Sequence, residues 1–151
     1  MSSQSRQVTL REITVDTVDE VLALRVAPDQ EGCVATNAKS IAQAHYYPEI
    51  AWFRAVYAGE TLVGFVMISD KPKEHEYFLW RLMIAEPFQG LGYGRRTMEL
   101  VIDHVRTRPG ATCLLTSVVP GQEAPRRFYE HLGFVDTGEV DDGEPVLRYD
   151  L

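Results

Sequence analysis

The hydrophobic positions of this chain change period several times, and each change marks an element. Val8 to Ile13 alternates apolar with polar, the period of a half-buried strand. Asp16 is placed to cap a helix running through Val21, Leu22 and Leu24, and Pro28 ends it. Ala38 to Tyr47 reads as a second helix, with Pro48 just past its end. Trp52 to Tyr57 and Leu62 to Ser69 form a hairpin about Ala58-Gly59-Glu60. Glu76 to Ile84 is the next strand, on which period two puts Glu76, Phe78 and Trp80 on one face. Gly92 to Arg106 is a long helix with Met98, Val101, Ile102 and Val105 toward the core, and Pro109-Gly110 closes that element. Thr112 to Val119 is a fifth strand and Ala124 to Leu132 a short helix. Two final strands flank an Asp141-Asp142-Gly143 turn. The order β-α-α-β-β-β-α-β-α-β-β predicts an α/β chain with a mixed sheet.

Length makes this one domain, residues 1–151, burying roughly two thirds of its unfolded surface. The 45% hydrophobic content is ordinary for a globular protein. No apolar run reaches membrane-spanning length, and the polar start from Ser2 to Gln7 has no signal-peptide core. A cytoplasmic protein without a membrane partner is expected. Cys33 and Cys113 have no metal-like spacing to each other or to His45, His75, His104 and His131, so free buried thiols and no metal are expected. A net charge of -7 without a basic stripe argues against nucleic acid as a partner and is compatible with a cationic substrate.

The chemistry concentrates at Gln89-Gly90-Leu91-Gly92-Tyr93-Gly94-Arg95-Arg96, between the apolar strand and the long helix. Glycines at a helix N-terminus leave backbone N–H groups bare, where the dipole favours a phosphate anion, and Arg95 and Arg96 add charged donors. A dinucleotide fingerprint G-x-G-x-x-G fails because Arg95 stands at its last position, and no Gly-Lys-Ser/Thr of a P-loop occurs. What fits is Gln/Arg-x-x-Gly-x-Gly/Ala, with Gln89, Gly92 and Gly94 in the defining places. This resembles the acetyl-CoA loop of the GNAT N-acetyltransferases. Downstream, Phe128-Tyr129-Glu130-His131-Leu132-Gly133-Phe134 resembles that family's closing F/L-Y-x-x-L-G-F signature. Pro125 suits the first turn of its helix and Gly133 the left-handed stop.

The resemblance implies the GNAT fold: a mostly antiparallel central sheet, splayed open where acetyl-CoA enters, flanked by about four helices. It implies that backbone groups of Leu82, Met83 and Ile84 pair with the pantetheine arm, while Gln89, Gly90, Leu91, Gly92, Tyr93, Gly94 and Arg95 hold the pyrophosphate. Gln122 stands where relatives often carry a cofactor-contacting asparagine, and Arg126 or Arg127 would meet the adenosine phosphate or else form a solvated helix face. The amine would attack directly, in keeping with the lack of a nucleophile motif such as G-x-S-x-G. Tyr129 would assist the departing thiolate. An alkyl amine of pKa near 10.4 is about 0.1% neutral near pH 7.5, a penalty of roughly 4 kcal/mol, so a carboxylate must help remove its proton.

Further stretches narrow the acceptor. Pro28-Asp29-Gln30-Glu31-Gly32, Tyr46-Tyr47-Pro48, Tyr77 to Arg81 and Asp141 to Leu147 resemble the bacterial spermine/spermidine (diamine) acetyltransferases. That resemblance implies a short polycation, held by acids and aromatic rings; Glu31, Tyr46, Tyr47, Glu76 and Trp80 are the candidate wall. Mammalian-type polyamine acetyltransferases place a carboxylate where Trp80 stands, so their base does not carry over. Glu76 and Glu31 remain the candidates for that role, and Asp141-Asp142 reads as a turn, not a clamp. Open alternatives are another amine acceptor (a protein N-terminus, an aminoglycoside, an amino acid) and a non-catalytic acyl-CoA-binding module. Dimers are frequent among the relatives, so a homodimer belongs with these expectations.

Overall fold

The computed structural model describes residues 6–32 and 34–151. Cys33 and most of the polar start lie outside them. The elements are β1 (Val8–Arg11), α1 (Val18–Ala23), α2 (Asn37–Tyr46), β2 (Ala51–Ala58), β3 (Thr61–Lys71), β4 (Glu76–Ile84), α3 (Tyr93–Arg106), β5 (Cys113–Ser117), α4 (Glu123–Leu132), β6 (Val135–Asp141) and β7 (Glu144–Asp150). Short 3-10 turns precede α2, β4 and α3. The strands form one seven-stranded sheet in the order β1-β2-β3-β4-β5-β7-β6. All neighbours are antiparallel except β4 and β5.

The sheet is covered on both faces, because its central strands are apolar at successive positions. On β2, Val56 and Ala58 join the core beneath α3 and α4, with Met98, Val101, Ile102 and Val105. Ala55 and Tyr57 point the other way, into a second cluster with Val21 of α1 and Ala44 of α2. The core face expected for α3 is therefore the buried one.

Local starts and stops differ from the sequence reading in instructive places. Asp16 does not cap α1; Thr17 holds the N-cap position. Thr14 N–H donates to Thr17 Oγ1 at 3.0 Å, and Asp16 N–H donates to Thr14 Oγ1 at 3.2 Å, so the hydroxyls organise this turn. The helix ends at Ala23, and Pro28 opens a 3-10 turn (Pro28–Gln30) instead of terminating α1 directly. Thr36, unnoticed in sequence, caps α2 by accepting from Lys39 N–H at 3.2 Å. Cys113 is half-buried on β5, less enclosed than expected.

Two features of β4 position the site. Against β3, Leu79 pairs with Ile68 and Arg81 with Met67, leaving Trp80 as an extra residue in a β-bulge. The inserted residue reverses the alternation: Tyr77 and Leu79 face the α3/α4 core, and after the bulge Leu82 and Ile84 face it too. Period two therefore fails beyond Trp80. The second feature is divergence. β4 and β5 are in register only at Phe78 and Leu115. Thr116 Oγ1 still donates to Leu79 C=O at 3.4 Å, while Ser117 pairs with Val146 of β7 on its other side. Past that point the strands part, with β4 held by β3 and β5 held by β7.

Candidate active site

A groove of about 1470 Å³ runs through the opening between β4 and β5. One end is walled by the loop between β4 and α3, the other by the β6–β7 hairpin and the chain around α2.

At the loop end, Gly90 and Gly92 have φ of 77° and 86°, the left-handed region in which a side chain is strained. A Cβ at either would meet nothing within 4 Å, so the space before the loop is open to a ligand. Gly92 is the N-cap of α3, and no side chain bonds the helix end. The N–H groups of the first turn thus remain available, with the positive end of the dipole behind them. Gly94 lies in the first turn of the helix, where a Cβ would come within 3.5 Å of Phe128, and it too lines the groove. Tyr93 and Arg95 also line the groove, whereas Leu91 is 61% exposed and Arg96 points elsewhere. Glu99 pairs with both arginines, at 3.8 Å from Arg95 Nε and 3.1 Å from Arg96.

Gln89 does structural work that its motif position does not disclose. Its amide donates to Ile84 C=O and to Gln30 Oε1, each at 2.7 Å, tying the loop to the end of β4 and to the 3-10 turn before α2. Leu82, Met83 and Ile84 line the groove as their strand leaves β5. Gln122 is the N-cap residue of α4, without a side-chain cap bond, and is outside the groove wall. Arg126 is held by Glu130 and Asp136 on the surface, and Arg127 is exposed; neither lines the groove.

Tyr129 sits where the two strands part. Its ring packs edge-on against Phe128 and Phe134, at centroid distances of 5.1 Å and 5.4 Å. Burial pushes its pKa well above the ordinary tyrosine value, and a hydrogen bond with the Thr116 hydroxyl offsets part of that rise. The phenol is a neutral O–H donor throughout the neutral range.

At the acceptor end, Glu31, Glu76 and Trp80 reach the groove. Tyr46 does not: it is 78% exposed and stacks edge-on against His45. Tyr47 takes the place expected of the pair, its ring edge-on to Trp80 at 6.1 Å. Glu76 is 3.7 Å from Lys71, its partner across the sheet. The Asp142-Gly143 turn has positive φ at both residues, as a two-residue hairpin requires. The turn reading was incomplete, however, because Asp141, Asp142 and Glu144 also line the groove.

Arg81, Ser117 and Glu144 are groove residues that sequence reasoning did not single out. Arg81, beside the bulge, donates to Trp80 C=O at 2.8 Å and to Gln43 Oε1 of α2 at 2.9 Å. Burial lowers its pKa, and Glu144 works against that lowering. Ser117 Oγ donates to Glu144 Oε1 at 2.8 Å. The spacing of three acids in Asp141-Asp142-Gly143-Glu144 was the available signal for the hairpin, but only the fold brings it to the groove.

One groove thus joins the uncapped N-terminus of α3, the parted edge of β4 and a neutral phenol to an acid-rich cleft. Comparisons with known proteins agree with it. A family model described as acetyltransferase (GNAT) family matches residues 16–134. The spermine/spermidine N(1)-acetyltransferase of Bacillus subtilis (strain 168) is 27% identical over 154 aligned residues, covering 95% of this chain and 99% of that protein. Among solved structures, the GNAT domain of S. lividans PAT superposes with a TM-score of 0.77 at 16% identity, over 97% of this chain and 90% of that one. The spermidine N-acetyltransferase from Vibrio cholerae, solved in complex with CoA and spermine, gives a TM-score of 0.74 at 17% identity, over 96% and 95%. The family match, together with this fold and groove, makes the chain a member of the acetyltransferase (GNAT) family, an acetyl-CoA-dependent N-acetyltransferase.

Proposed function

We propose that this protein acetylates a primary amine of a polyamine such as spermidine or spermine, by direct attack of the amine nitrogen, with Tyr129 assisting the leaving thiolate. The observation that carries the reading is the groove itself, which joins the bare N-terminus of α3 to an acid-rich, aromatic-walled cleft. The 27% identity to a spermine/spermidine N(1)-acetyltransferase over nearly the whole chain supports it.

Acetyl-CoA supplies the acetyl group as an activated thioester. The first-turn N–H groups of α3 and Arg95 would hold its diphosphate, with Gly90 and Gly92 leaving room for it. Main-chain groups of Leu82 and Met83, on the free edge of β4, would pair with the pantetheine arm as an added strand does. Tyr129 donates its hydroxyl proton in a hydrogen bond to charge developing on sulfur. Its raised pKa favours donation of a hydrogen bond over outright proton loss.

On the acceptor side, Asp141 and Glu144 are cross-strand partners with Asp142 in the turn between them. Like charges directly opposite repel, and an ammonium lodged among them relieves that repulsion. Glu31 and Glu76 add negative charge at other points of the wall. Trp80 and Tyr47 cover methylenes and offer their π faces to a cation.

Initial rates of free-thiol release across a panel of amines test the proposal. Spermidine should exceed lysine, a peptide N-terminus and an aminoglycoside in kcat/KM by at least about tenfold. A higher value for any of the others removes the polyamine assignment, and binding of acetyl-CoA without turnover of any amine removes the catalytic one.

A further inference from the structure

The reaction needs a group to take the proton from the acceptor ammonium, and the two carboxylates read from sequence are poorly placed for it. Glu76 is exposed, is paired with Lys71, and stands at the start of β4, before the strands part. Glu31 is exposed at the end of the 3-10 turn that Gln30 ties to the cofactor loop.

Glu144 differs on each count. It is half-buried, it opens β7 and it lines the groove. Its carboxylate is fixed by the Ser117 hydroxyl at 2.8 Å. The main chain beside it is pinned as well: Val118 N–H donates to Pro145 C=O at 3.2 Å. Ser117 is the last residue of β5, where that strand leaves β4, and it follows Thr116. Successive side chains of a strand point to opposite faces. Thr116 is buried and donates to Leu79 C=O across the parting strands, while Ser117 donates to Glu144. One dipeptide therefore bridges to β4 on one face of the sheet and fixes a carboxylate on the other.

We infer that Glu144 is the general base, a catalytic residue that takes a proton from the acceptor ammonium, and that Ser117 is its positioning residue. An N–H bond of the ammonium breaks, its electron pair stays on nitrogen as the nucleophilic lone pair, and the proton forms an O–H bond on Glu144. The proton leaves to solvent before the next turnover. Other charged or titratable groups that share the groove are Glu31 after the 3-10 turn, Glu76 and Arg81 on β4, Asp141 and Asp142 on the hairpin, Lys39 on α2, Lys71 on β3, Arg95 on α3 and His131 on α4. The inference rests on amine acetylation at this groove and not on the identity of the amine.

The test compares wild type and Glu144→Gln between pH 7 and 9.5, using whichever alkyl amine the wild type turns over fastest. A failure of polyamine specificity therefore leaves the test intact. Glu144→Gln should lose about 100-fold in kcat at pH 7.5, and the deficit should shrink by about tenfold per pH unit as the neutral amine accumulates. With an acyl hydrazide acceptor, whose terminal nitrogen is already neutral at pH 7.5, the two enzymes should be within about threefold of each other. Ser117→Ala, which keeps the hairpin's main-chain pairing, should lose about threefold to tenfold at pH 7.5 with the same recovery. It provides the reading if Glu144→Gln does not fold. A kcat within threefold of wild type at pH 7.5, a deficit constant across pH, or a loss confined to the amine KM overturns the assignment. So does a wild-type pH profile in Ser117→Ala.

Discussion

Tyr129 brings two properties of a single side chain into conflict, and the conflict is useful. Packed between Phe128 and Phe134, it resists ionisation, so it is a poor proton source but a dependable hydrogen-bond donor to a forming thiolate. Tyr129→Phe should lower kcat by about 10- to 100-fold with the acetyl-CoA dissociation constant unchanged. An unchanged rate and pH profile would remove its role. The same burial has a consequence for stability. Because the folded-state pKa lies above the unfolded value of about 10, the contribution is fully present below pH 10 and falls as pH rises beyond it. Thermal melts of wild type should therefore lose more Tm between pH 10 and 11.5 than melts of Tyr129→Phe. Parallel losses would contradict the buried phenol.

Among the elements, β4 is where the chain departs from what its pattern announces. Its boundaries, Glu76 and Ile84, were legible, as were the long helix and the glycine loop, because each rests on local periodicity or local chirality. The bulge at Trp80 was not, since an extra residue is defined by pairing with β3 and leaves no mark in a run as apolar as Phe78-Leu79-Trp80-Arg81-Leu82. The cap of α1 shifted from Asp16 to Thr17 because competing hydroxyl bonds from Thr14 win locally. Close approach of β3 to β4 depends on Gly64, where a Cβ would collide with the Met83 carbonyl and with Ile84 Cδ1 at 2.8 Å. Gly64→Ala should destabilise the fold by about 1–3 kcal/mol, read as a lower urea midpoint. It should also weaken acetyl-CoA binding, because Met83 and Ile84 border the groove. An unchanged midpoint would mean that the two strands separate at no cost.

For the whole molecule, the strand order decides the site. Placing β7 next to β5, with β6 at the edge, swings the Asp142-Gly143 turn round to the groove. Turn chemistry is local and was legible; the destination of the turn is tertiary and was not. The same holds for Tyr46 and Tyr47, adjacent in sequence and both exposed, of which only Tyr47 lines the groove because α2 ends between them. The whole chain carries a net charge of -7, which together with this acid-rich end should draw in a polycation over distances that salt screens. Raising NaCl from about 20 to 200 mM should raise the spermidine KM several-fold with little change in kcat. A KM indifferent to salt would contradict recognition by charge.

The central claim is that open space and bare N–H groups before α3 hold the diphosphate of acetyl-CoA, and calorimetric titration of that coenzyme into wild type and Gly92→Val tests it most directly. Valine at this position meets a left-handed φ of 86° and fills the space the ligand needs. Wild type should bind with a dissociation constant on the order of 10 μM, and the folded variant should bind at least about 100-fold more weakly. Equal affinity in the two proteins, or no heat with wild type at millimolar coenzyme, would contradict it.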